Sequence, residues 1–104
     1  MQPGNKMKHQ QPLPSVRQIR RTCSRELYRA RKKVGRHITA EQIDRADDVY
    51  FKKVLANLPY IAENGSNRKL LADWFNEHVC GEVAEIYGVE REVLARAFRD
   101  SFGG

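Results

Sequence analysis

Two periods run side by side between Val16 and Val34, and together they narrow what the backbone can do. Val16, Ile19, Cys23, Leu27, Ala30 and Val34 return every three or four residues, while Arg17, Arg21, Arg25, Arg29 and Lys33 return every four. At about 3.6 residues per turn, an α-helix gathers the first set on a narrow apolar stripe and lays the second along a slowly winding basic one. Arg20, Arg31 and Lys32 widen the basic stripe, and Glu26 is the one acid in the span. Like charges four apart weaken a helix, so the pattern calls for an anionic partner or for an acidic surface elsewhere in the fold.

The flanks of this span carry helix punctuation. Ser15 followed by Gln18 fits a capping box, and Gly35 can take the left-handed conformation that ends a helix. Thr39 and Gln42 repeat the box, with Glu41 in the first turn at the positive end of the dipole. They open a second helix running to about Leu58, broadly apolar through Ile43, Ala46, Val49, Tyr50, Phe51, Val54 and Leu55. Its Asp44, Asp47 and Asp48 are placed to pair with arginines of the first helix.

Pro59 and Asn64-Gly65 mark the segment 59–67 as a connection. A third helix follows from Ser66 or Asn67 to Tyr87, carrying Leu70, Leu71, Trp74, Phe75, His78, Val79, Val83 and Ile86, with Gly81 as the point of a kink, contact or break. Gly88 ends it. A fourth, from about Glu90 to Ser101, buries Val93, Leu94, Ala97 and Phe98. No segment alternates as a strand does. The expected architecture is all-α: a single four-helix domain over 15–104, preceded by a disordered basic tail over 1–14 that holds Pro3, Pro12 and Pro14.

Charge is distributed unevenly. Residues 1–36 carry eleven Lys and Arg against Glu26, a net of +10, and residues 37–104 carry eight basic against twelve acidic side chains, a net of −4, which makes the formal +6 of the whole. Such asymmetry points to nucleic acid or another polyanion. Internal neutralisation, within the fold or across a homodimer, is the competing account. There is no apolar run near the roughly 20 residues a bilayer span needs and no apolar leader, so a cytoplasmic location is expected.

The basic helix is the stronger candidate for phosphate contact, because that interaction asks for charge density more than for exact placement, and arginine forms paired bonds to phosphate. The residues assigned to it are Arg17, Arg20, Arg21, Arg25, Arg29, Arg31, Lys32, Lys33 and Arg36, and Tyr28 at their edge is placed to stack on an exposed base. A membrane-surface role is weaker, since the apolar stripe lacks bulky aromatic anchors. Ala84, Gly88, Val89, Leu94 and Ala97 also meet the spacing of a DNA-binding helix-turn-helix, which would aim Glu90, Arg91, Glu92, Ala95 and Arg96 at a groove. Two carboxylates at the leading end would face phosphates, so a structural hairpin is favoured there.

Catalysis finds little support. His9, His37 and His78 stand in no metal-binding motif, His78 and Cys80 fall on different faces of a helix, and Cys23 and Cys80 have no metal or redox spacing. No enzyme, cofactor or metal is expected. The expected function is a small nucleic-acid-binding protein, DNA or RNA, of regulatory character. The alternative is a helical interaction module that docks on an acidic protein surface or forms a homodimer.

Overall fold

The computed structural model describes residues 14–102, and its first helix begins and ends where its capping groups stand. The Ser15 side chain accepts from the Gln18 backbone N–H at 3.2 Å, and the Gln18 side chain accepts from the Ser15 N–H at 2.9 Å. Helix α1 (Val16–Val34) closes at Gly35, which adopts φ 75° and donates its N–H to the Arg31 carbonyl. Helix α2 (Ala40–Ala56) opens on the same reciprocal pair, Thr39 and Gln42, at 3.2 and 2.8 Å. The tail expected over 1–14 lies outside the described residues except for Pro14.

Beyond α2 come α3 (Leu58–Glu63), α4 (Arg68–His78), α5 (Cys80–Tyr87) and α6 (Arg91–Phe102), with no strand among the described residues. The all-α expectation therefore stands, but among the described residues six helices replace the expected four. Helix α3 was hidden by Pro59, which occupies its first turn, where a missing N–H forfeits no intrahelical bond. The expected third helix is divided at β-branched Val79 and not at Gly81, around which a Cβ would meet nothing within 4 Å. Phe75, Val79, Val83 and Tyr87 keep an interval of four across the break, so the apolar pattern carries no mark of it. Among the described residues, no helix is long and apolar enough to cross a membrane.

The core sits where α1 lies against α6 and α2, with α4 and α5 completing the enclosure. Phe75 of α4 and Phe98 of α6 stack with centroids 3.7 Å apart, and Tyr50 of α2 meets their rings edge-on at 5.2 and 6.1 Å. Leu27 and Ala30 bring α1 into this cluster with no solvent exposure, flanked by Ile19 and Cys23. Several residues of the expected apolar faces are outside: Val16 is 60% exposed, Val93 45%, Leu70 38% and Leu55 37%. Val16 is the first residue of α1, and Val93 stands on the outer side of α6, whose inward residues are Leu94, Ala97 and Phe98.

The connections are held by bonds to helix ends. Gln42 donates to the Ile86 carbonyl and Arg36 to the Gly88 carbonyl, both at 2.9 Å, so the α1–α2 connection and the first turn of α2 satisfy acceptors left open at the end of α5. The Cys80 thiol lies 3.4 Å from the Arg91 carbonyl, joining the starts of α5 and α6. Urea denaturation at neutral pH checks this anchoring. Leu27→Ala should lose about 2–5 kcal/mol, Gly88→Ala about 1–2 kcal/mol through its left-handed backbone (φ 72°), and Val16→Ala no more than about 0.5 kcal/mol.

Candidate functional site

Packing the apolar stripe of α1 inward decides which of its cations face solvent. At about 100° per residue, Arg17, Tyr28, Arg21, Lys32, Arg25, Arg29 and Lys33 follow one another around an arc of about 160°. All seven are exposed, and the six cations among them make no ion pair with the described residues. Arg17 and Lys33 are separated by about 24 Å along the axis, so the cations form a long, convex strip.

The other three candidates are engaged within the fold. Arg20 lies 4.0 Å above the centre of the Phe51 ring and 3.5 Å from Asp48. Arg31 bonds the Tyr87 hydroxyl at 3.3 Å and stands 3.9 Å from Asp47, with its side chain only 13% exposed. Arg36 donates to the Gly88 carbonyl. Internal neutralisation thus reaches the edge of α1 that faces α2 and stops there.

Two depressions border the strip. At the C-terminal end of α1, Tyr28, Arg31, Lys32, Arg36 and His37 line a shallow hollow of about 330 Å³ with Ile38 and Ile43. Tyr28 is half exposed, with the Lys32 ammonium 5.5 Å from its ring centre. On the opposite side Arg25 and Arg29 meet Arg68 of α4 along a groove of about 350 Å³. Arg68 is held there by a 2.7 Å bond to the Phe102 carbonyl and by its position over the Phe102 ring. No local pattern in the sequence marks Arg68 for this site, because its proximity to α1 is purely tertiary.

Glu26 lies under this second edge. Its carboxylate accepts the Tyr50 hydroxyl, tying α1 to the aromatic core through α2. Burial pushes the Glu26 carboxyl above its ordinary 4.5, against the Tyr50 hydrogen bond and the positive charges of Arg68, Arg29 and Arg25, which pull it down. Burial also raises the Tyr50 hydroxyl, and the Glu26 charge adds to that. Cys23 is pushed up to about 12 and Cys80 to about 11, again chiefly by burial, so both thiols stay protonated and poorly nucleophilic at neutral pH.

The helix-turn-helix spacing also has a structural counterpart: α5 and α6 are joined by Gly88, left-handed at φ 72°. At the leading end of α6, Glu90, Arg91 and Glu92 are exposed, but the Arg91 guanidinium is bonded to the Asn76 carbonyl. That end presents two carboxylates beside an engaged arginine, and Ala95 is half-buried against the core. Among the described residues, no group of three or more His, Cys, Asp or Glu is placed to hold a metal ion. No protein-family model, curated protein or solved structure matches the chain.

The Glu26 environment has a consequence for stability. Because the folded-state value lies above 4.5, the native chain keeps a proton that the unfolded chain has released, and stability falls as pH rises from about 4.5 through the folded value. Above that value the loss is complete and the Glu26 contribution is flat. Glu26→Gln keeps an acceptor for Tyr50 without the charge, so it should remove this part of the decline and gain most over the wild type at neutral pH. Urea midpoints between pH 4 and 8 check the sign: a wild-type chain that gains stability relative to Glu26→Gln as pH rises would contradict it.

Proposed function

We propose that the chain is a small nucleic-acid-binding protein of regulatory character, which contacts phosphates through the outward face of α1. The observation that carries this reading is the strip of six exposed cations, Arg17, Arg21, Arg25, Arg29, Lys32 and Lys33, left without ion pairs among the described residues by a fold that neutralises Arg20 and Arg31. Unpaired charge along a convex helix suits a backbone of regularly spaced phosphates, where affinity comes from counterion release and close geometry matters little. Four of the six are arginines, which bind a phosphate through two parallel donors.

Tyr28 adds a feature that duplex DNA would not use. Half exposed within the strip and beside the hollow of Lys32 and Arg36, it offers a ring on which an unstacked base of a single-stranded segment can lie. An acidic protein surface would meet the same charges. What would distinguish it is an apolar anchor, and the apolar pocket nearest the strip lies to one side of it, beyond the groove of Arg25 and Arg29.

Polarisation of labelled duplex DNA, single-stranded DNA and RNA, titrated near physiological salt and again at lower salt, tests the reading. Binding should be micromolar or tighter with a steep salt dependence. Replacing Arg21, Arg25 and Arg29 together by Gln should weaken it and reduce the magnitude of the log–log salt slope by about 2–3, roughly one for each phosphate no longer neutralised. Arg91→Gln and Arg96→Gln should change both far less. No binding at low salt, or the reverse ranking of these variants, would overturn the proposal.

A further inference from the structure

The groove of Arg25, Arg29 and Arg68 opens beside a second, quite different space. Ile19, Val54, Ile61, Leu71, Trp74 and Phe102 surround a pocket of about 140 Å³ that shares Thr22, Glu26, Ile61, Leu71 and Phe102 with the groove. Its volume is close to that of an engineered cavity of about 150 Å³ that holds benzene, so it has room for one ring or one branched aliphatic side chain. The polar groups on its wall include Thr22, Glu26 and Tyr50, the Tyr50 hydroxyl donating to the Glu26 carboxylate, and Trp74, whose buried Nε1 has no hydrogen-bond partner among the described residues.

We infer that this pocket takes a Phe- or Leu-sized anchor from an acidic segment of a partner protein, whose Asp and Glu flanks lie on Arg25, Arg29 and Arg68. Charge complementarity selects the flanks, since the three arginines line the groove adjoining the pocket without ion pairs among the described residues. The apolar wall selects the anchor. A nucleobase would bring several donors and acceptors into a space that leaves most of them unpaired, whereas a hydrocarbon side chain brings none of its own. The pocket and Arg68 lie outside the phosphate-contacting strip, so this inference does not depend on nucleic-acid binding. Because Arg25 and Arg29 serve both surfaces, the two kinds of partner would compete.

Trp74 is the single tryptophan of the chain and part of the pocket wall, so its emission reports occupancy. The full chain is titrated with a short synthetic peptide of Asp and Glu around one central Phe, with the same peptide carrying Leu or Ala at the centre, and with a single-stranded oligonucleotide. The Phe and Leu peptides should shift Trp74 emission saturably, and the Ala peptide should bind roughly tenfold more weakly. Arg68→Gln should weaken the Phe peptide by roughly threefold while leaving the thermal midpoint close to that of the wild type. The inference is overturned if no peptide moves Trp74, if the Ala peptide equals the Phe peptide, or if the oligonucleotide produces the shift and the peptides do not. Oligonucleotide affinity, read separately by polarisation, shows whether the phosphate-contact reading stands or falls with it.

Discussion

Leu27 and Ala30 are the points at which a heavily charged helix is fixed to the rest of the chain. Eight of the nineteen residues of α1 are arginine or lysine, and repulsion between neighbours one turn apart works against the helix forming on its own. Burial of Ile19, Cys23, Leu27 and Ala30 against α2 and α6 supplies what the isolated segment lacks. Every other property of the basic face follows from that attachment. Once the stripe is turned inward, the cations on the α2 side meet Asp47 and Asp48, and those on the far side meet solvent.

The second constraint is the Glu26–Tyr50 contact. A carboxylate among arginines would ordinarily reach outward to them, yet Glu26 is turned toward the core, where the Tyr50 hydroxyl donates to it and Phe75 and Phe98 pack against the tyrosine ring. The single acid of α1 is thereby held half-buried between the core and the groove of Arg25, Arg29 and Arg68, and forms an ion pair with none of them. This half-buried carboxyl, tied to a tyrosine, lines both the apolar pocket that includes Trp74 and the arginine groove beside it.

The parts of this architecture written in local chemistry were legible in the sequence. Both capping boxes, the left-handed Gly35 and Gly88, and the inward stripe of α1 follow from side-chain type and spacing over a few residues. Helix α3 was missed because Pro59 reads as a breaker unless its place in the first turn is known, and the Val79 break was missed because apolar spacing continues across it. The candidate site divided along the same line. Exposure of Arg17, Arg21, Arg25 and Arg29 follows from the helical period, but the engagement of Arg31 with Tyr87 and Asp47, of Arg36 with Gly88, and the arrival of Arg68 beside Arg29 depend on residues distant in sequence. No periodicity encodes such contacts.

NMR of the arginine side-chain Nε–Hε groups tests, residue by residue, the proposal that the outward cations of α1 form the phosphate-contacting surface. On addition of a single-stranded oligonucleotide, the resonances of Arg17, Arg21, Arg25 and Arg29 should move together and saturate at one concentration, while Arg31, held by Tyr87, stays in place. Movement confined to Arg91 and Arg96 of α6, with the α1 arginines unchanged, would contradict the account.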